Sequence, residues 1–162
     1  MAAPSLLFYL LAALLVAAAL LVVFLRNVVY CAMALIAALL IIAVLFVTLQ
    51  APMVGVLQVI VYAGAIMVLF LFVIMLLNPA ALEQRNGLWW GFGTVLSLLL
   101  AGVLIPLFRG NDMPATVAAD TFGSPEMLSR SLFSEFVLPF EIASVLLLVA
   151  IIGAVVLAKR EG

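Results

Sequence analysis

Residues Asn27 to Leu82 read NVVYCAMALIAALLIIAVLFVTLQAPMVGVLQVIVYAGAIMVLFLFVIMLLNPAAL, and no charged side chain interrupts them. A bilayer-crossing helix needs about 20 apolar residues. The run is too long for one such helix and about right for two. Proline biases the preceding residue away from helical geometry and cannot donate a backbone hydrogen bond. The break therefore falls at Gln50-Ala51-Pro52, giving one span over about 29–49 and another over about 54–77, the latter stopped by Asn78-Pro79.

The pattern extends in both directions. A first apolar run, about 4–25, ends at Arg26-Asn27. A signal peptide has a basic leading region and a shorter apolar stretch. Met1 to Ser5 carries no Lys or Arg, so the run is read as a retained first span. After the polar loop Glu83-Gln84-Arg85-Asn86-Gly87 comes a fourth span, about 88–108, ending at Arg109-Gly110-Asn111-Asp112. A fifth, about 139–158, ends at Lys159-Arg160. The expected fold class is an all-α integral membrane protein, one membrane domain over 1–162 with five transmembrane helices.

Composition agrees. Of 162 residues, 70% are hydrophobic and 8% charged, with a mean hydropathy of +1.54. Soluble domains are about a quarter charged, and a chain this short cannot hide so much apolar surface from water. A net charge of −1 excludes a basic nucleic-acid surface. With no histidine and a single cysteine, Cys31, the chain has no thiolate set for an iron–sulfur cluster, no His/Cys zinc site and no internal disulfide. No cofactor is expected in this chain; redox centres, if any, sit on other chains.

Basic residues in short loops set orientation. In a five-span topology Arg26, Arg85, Lys159 and Arg160 share one side, while Arg109 and Arg130 share the other with Asp112, Asp120, Glu126 and Glu135. The N-terminus is expected outside and the C-terminus in the cytoplasm, with Trp89-Trp90 at the cytoplasmic interface. The long connection, 109–138, carries the helix start Ser124-Pro125-Glu126: a capping hydroxyl, proline at the first position, an acid in the first turn. Met127, Leu128, Leu132, Phe133 and Phe136 can share one face of a short helix on the outer surface.

Polar groups at membrane depth are the informative ones. They are Thr48, Gln50, Gln58, Tyr62, Thr94, Ser97, Glu141 and Ser144. A self-sufficient pump would want mid-membrane carboxylates or a buried Lys–Glu pair, and the chain reads as one part of a larger machine. The third span is densest. Gln58 and Tyr62, four apart, are expected on one face, with Tyr62 near mid-membrane at about 1.5 Å per residue. Ala63-Gly64-Ala65 removes side-chain bulk beside them. Two readings stand: close packing of another helix, with Tyr62 bonding across, or a helix that changes shape beside a water path.

Gln58 followed by VIVYAGAIMVLFLFVIMLL to Leu77 and Asn78 is similar to the third helix of the subunit J family of bacterial proton-pumping NADH–quinone oxidoreductases, which includes mitochondrial NADH dehydrogenase subunit 6. Leu132-Phe133, then Val137-Leu138-Pro139-Phe140-Glu141-Ile142-Ala143-Ser144 and the run to Lys159-Arg160, looks like the family's last helix. Arg26-Asn27-Val28 fits its first loop. The resemblance covers all five spans and is specific in the third and fifth.

It implies a membrane-arm subunit of respiratory complex I in the bacterial inner membrane. This subunit helps couple quinone reduction to proton translocation and has no catalytic centre of its own. FMN, iron–sulfur clusters and quinone are implied on other subunits, and the other membrane-arm subunits as partners. The family's third helix bears a π-bulge, which by position would involve Tyr62 to Val68. Nothing in this sequence's periodicity shows one. Some family members place a carboxylate at the position of Gln58; an amide can hydrogen-bond there but cannot carry a proton's charge. Tyr62, Gly64, Gln58, Val68 and Glu141 are thus the proton-path or switch candidates.

Glu141 has two readings. With Pro139 at the first helical position, the carboxylate falls in the first turn and suits the positive end of the helix dipole. Otherwise it is a proton exit group at the outer face. The rivals to the whole reading are a related ferredoxin-linked or photosynthetic-type quinone oxidoreductase subunit and a free-standing small transporter or scaffold.

Overall fold

A computed structural model describes residues 3–77, 87–109 and 123–159; the side chains of 3–5, 87–90 and 107–109 lie outside the description. Expectations on Asn78-Pro79, Arg85, Asp112, Asp120 and Arg160, and on the side chains of Trp89, Trp90 and Arg109, fall outside it as well. Among the described residues the regular structure is entirely helical. The helices are α1 (Ala3–Phe24), α2 (Val28–Thr48), α3 (Pro52–Leu77), α4 (Gly87–Arg109), α5 (Pro125–Ser134) and α6 (Val137–Ala158).

Four of these supply stretches long and apolar enough to cross a bilayer: Leu6–Phe24, Val28–Thr48, Pro52–Leu77 and Val137–Ala158. The described apolar stretch of α4, Gly91–Pro106, is shorter. The helix ends lie within about two residues of those expected, the ordinary uncertainty of a frayed terminus.

Local chemistry places the turns. Asn27 caps α2: its Oδ1 accepts the Val29 N–H at 2.9 Å, satisfying one of the donors a helix start leaves open. At the other end of α2, the Gln50 N–H donates to the Val47 carbonyl at 3.2 Å and the Ala51 N–H to the Phe46 carbonyl at 2.9 Å. This is the Schellman pattern, which needs a left-handed residue after the helix. Gln50 supplies it at φ 61°, a conformation that costs an L-residue roughly 1–2 kcal/mol where glycine would be free. Pro52, at the first position of α3, then prevents α2 from running on.

Helices α1, α2 and α3 pack side by side, with α2 in the middle. The seam is made of small residues: Ala18 on α1, then Ala32, Ala38 and Ala43 on α2, all buried. In hydrocarbon, lipid tails compete equally for apolar side chains, so helices associate by close backbone approach. Gly55 is the extreme case. A Cβ there would stand 2.9 Å from the Ala43 carbonyl oxygen and 3.0 Å from a Val47 methyl. Farther along, Met67 and Ile74 of α3 join Ala32, flanked by Val29, Leu35, Ile36, Leu39 and Leu71.

Helix α5 forms as its cap predicts: Ser124 Oγ accepts the Met127 N–H at 3.2 Å, with Pro125 and Glu126 in the first turn. It packs on the start of α6, where the Phe133 and Phe140 rings meet edge-to-face at 5.0 Å. No residue of α6 is buried. A helix that is apolar all round and uncovered suits lipid or neighbouring chains, not water.

Enlarging Gly55 should break the α2–α3 seam. We expect Gly55→Ala to lower stability by about 1–3 kcal/mol, the usual cost of overpacking, seen as a lower midpoint of thermal aggregation in mild detergent. Gly91→Ala, where an added Cβ meets nothing within 4 Å, should be silent in the same assay.

Candidate functional site

The middle of α3 is not an α-helix. From Gln58 to Ile66 the chain is a π-helix, flanked by ordinary α-helix over Pro52–Leu57 and Met67–Leu77. At its exit the Met67 N–H donates to the Tyr62 carbonyl, five residues back. Five-residue bonding fits one more residue into each turn than the α-helix holds. The side-chain stripe therefore shifts as it passes through.

The buried residues of α3 show the shift. They are Gly55, Gln58, Ala63, Met67 and Ile74. Before the π segment the steps follow α-helical spacing. From Gln58 the stripe skips to Ala63, not to Tyr62, and resumes α-helical spacing at Met67. Gln58 is 8% exposed and Tyr62 53% exposed. The expectation that these two share a face fails here, because it assumed 3.6 residues per turn. The π-turn carries Tyr62 round to the outside of the α1–α3 layer and brings Ala63 against α2.

Gly64 also sits differently from expectation. It is exposed, and no other helix is within 4 Å of a Cβ built on it. The one close atom is the carbonyl oxygen of Val59 in its own helix, at 3.1 Å. Its small size thus serves the helix's own wide turn, while interhelical closeness falls to Gly55. Val68 lies outside the π segment, in the α-helical part beyond Met67, with its side chain exposed. The irregularity spans Gln58–Ile66 and not Tyr62–Val68: it begins four residues earlier and stops two earlier. Position in a family pattern gives the neighbourhood of a bulge; local packing fixes its ends.

Glu141 is exposed on α6, in a shallow apolar groove with Ile142, Val145, Leu146 and Val149. Helix α6 starts at Val137, with the Phe140 N–H bonded to the Phe136 carbonyl at 3.1 Å. Pro139 is therefore the third helical residue and not the first, and Glu141 falls beyond the first turn, where the dipole's pull fades. The structure groups Gln58, Tyr62 and Gly64 in one π segment and leaves Glu141 on a helix that is not packed along α3.

Two residues carry more of this architecture than the sequence suggested. Gly55, three before Gln58, fixes the distance to α2, and Ala63 takes the packed position inside the π segment. A glycine just after the helix-starting Pro52, facing a row of alanines on α2, was the available signal for the first. The second has no linear signal, since α-helical counting points to Tyr62. Three of the remaining hydroxyls at membrane depth turn inward on their own helices: Thr48 to the Leu45 carbonyl, Ser97 to Thr94 and Ser144 to Phe140.

Comparison with known proteins bears on what such a helix serves. Residues 18–157 match the family described as NADH-ubiquinone/plastoquinone oxidoreductase chain 6. The NADH-quinone oxidoreductase subunit J of Pseudomonas aeruginosa is 38% identical over 161 residues, covering 95% of this chain and 96% of that protein. The NAD(P)H-quinone oxidoreductase chain 6 of Leptolyngbya boryana is 38% identical over 95% of this chain and 79% of its own length. That of Synechocystis is 39% identical over 95% and 80%. With the match running from α1 through nearly all of α6, the chain belongs to the NADH-quinone oxidoreductase chain 6 (subunit J) family.

Proposed function

We propose that the chain is a non-catalytic membrane-arm subunit of a proton-translocating NADH–quinone oxidoreductase, and that α3 is its working part. The observation that carries this is the π segment Gln58–Ile66 in the middle of a membrane-crossing helix. A π-turn differs from an α-turn by one residue of register, so the same segment can take either of two hydrogen-bonded forms. Interconversion rotates the Tyr62 hydroxyl relative to the buried Gln58 amide. That places or withdraws a polar group at membrane depth, where water needs polar partners to stay. Gln58 can hold a water by hydrogen bonding; Tyr62 presents its phenol to a neighbouring subunit or to the water path.

FMN, iron–sulfur clusters and quinone belong to other subunits on this reading, since this chain has no histidine and one cysteine. The partners are the other membrane-arm subunits, for which the uncovered faces of α4 and α6 are suited. The location is the bacterial inner membrane, multi-pass, N-terminus outside and C-terminus in the cytoplasm.

Five spans are supported by one contact. The Gly123 backbone lies against Gln50 and Ala51, at the α2–α3 turn. Helix α3, at 1.5 Å per residue, ends roughly 39 Å from that turn. To come back to it the chain must cross again between Leu77 and Gly123, and α4, with 23 residues, is the element long enough to do so. Helix α6 is then the fifth crossing.

A second reading keeps the same role with a photosynthetic-type electron donor, favoured by the identity to the cyanobacterial chains. Length favours the first: the chain covers 96% of the Pseudomonas protein but 79% and 80% of the cyanobacterial ones.

Three outcomes test the proposal. A reporter fused after Arg160 should behave as cytoplasmic; a periplasmic signal would mean an even number of crossings or an inverted chain. Gly64→Leu puts bulk against the Val59 carbonyl in the π form. Overpacking of about 1–3 kcal/mol shifts the balance toward the α form by roughly five- to 150-fold. Proton pumping per NADH oxidised should fall in vesicles with the complex assembled, and normal pumping would sink the two-form helix. Tyr62→Phe deletes only the hydroxyl. Coupled turnover of the assembled enzyme should drop; unchanged turnover with about 1 kcal/mol lower stability would leave Tyr62 as packing alone.

A further inference from the structure

Two of the described residues with left-handed backbone meet at one point. Gln50, at φ 61°, closes the C-terminus of α2; Gly123, at φ 74°, leads into the cap of α5. A Cβ on Gly123 would stand 2.6 Å from the Gln50 carbonyl oxygen and 2.8 Å from the Ala51 Cα. Backbone therefore lies directly on backbone, with no room for a side chain between. The principal packing of the described helices otherwise falls into two sets, α1–α2–α3 and α5–α6. The Gly123 contact is where the second set touches the turn from which α3 begins.

We propose that Gly123 on Gln50–Ala51 is a latch that makes the outer-surface helix α5 and the head of α3 move as one body. Three features make it specific. Glycine is required twice over at 123, by its dihedral angle and by the closeness of the contact. Gln50 is held in a conformation that costs free energy for a residue with a side chain, and this presents its carbonyl to the incoming chain. On the α3 side Ala51 and Pro52 lead within one turn to Gly55, itself pinned against Ala43, so a push on α5 reaches the α2–α3 seam with little slack. On the other side the Phe133–Phe140 ring contact ties α5 to α6.

The test uses the assembled complex with Cys31→Ala, so that introduced thiols are the reactive ones in this chain. One variant adds Ala51→Cys, under the latch; a reference adds Leu49→Cys, at the exposed neighbour two residues before it. A membrane-impermeant maleimide is supplied from the outer face, which relies on the five-span reading above. The thiol at 51 should react roughly tenfold more slowly than that at 49, as a locally protected site does. Adding Gly123→Ala should abolish the difference. Gly123→Asn tolerates the left-handed angle but still carries a Cβ, and should abolish it too. Equal rates at 49 and 51 without any change at 123 would overturn the latch, a readout that needs no variant that risks assembly. Slow labelling at 51 retained in Gly123→Asn would also overturn it, since the dihedral alone would then matter. Labelling of both thiols only from the cytoplasmic face would fail the topology instead, and the ratio of the two rates would still read the latch.

Discussion

Hydrocarbon offers no hydrogen bond to a peptide group, and a bare one there costs several kcal/mol. Everything in this chain follows from that constraint. The backbone must close its bonds within each crossing, so the described regular structure is helical. The same constraint permits one variation. A π-turn also satisfies every donor from within the segment, as the Met67-to-Tyr62 bond does. Changing between the two ladders leaves no orphan group in lipid once the change is complete. An irregular loop at this depth would have no such freedom. A helix that alters its pitch is the motion a membrane interior tolerates.

The variation matters because of what it does to faces. One extra residue in a turn exchanges Tyr62 for Ala63 on the side packed against α2. A small apolar residue replaces a phenol at a tight seam, and the phenol becomes available outside. If α3 has two forms, as proposed, packing and polarity favour the π one in this arrangement, where alanines and Gly55 hold α2 and α3 close. The amide of Gln58 stays buried in this form, a polar group that neutral hydrogen bonding can serve without the cost of burying a charge.

Two kinds of glycine appear. Gly55 and Gly123 are small because another stretch of backbone occupies the space. Gly64 is small because its own helix turns widely past the Val59 carbonyl. The three are indistinguishable as letters. Their neighbours differ: Gly55 follows a helix-starting proline, Gly123 precedes a Ser-Pro-Glu cap, and Gly64 lies inside an unbroken apolar run. Only the first two contexts suggest a turn or helix end.

The sequence alone determined the membrane class, the places where helices stop, and the family. Each of these depends on local quantities: hydropathy over about 20 residues, proline and asparagine at helix ends, the capped start at Ser124, and the string around Tyr62-Ala63-Gly64-Ala65. It also pointed to α3 as the region of interest, because polar and small residues cluster there. Tertiary structure decided the pitch of that region and therefore which of Gln58 and Tyr62 is buried. It also moved the start of α6 to Val137, taking Glu141 out of the first turn, and it brought Gly123 to Gln50. The physical reason for the first is plain. Side-chain patterns are read through an assumed turn of 3.6 residues, and nothing in a uniformly apolar run reports a departure from it. The departure is set by how closely α2 and α3 approach, which is a relation between residues distant in the chain.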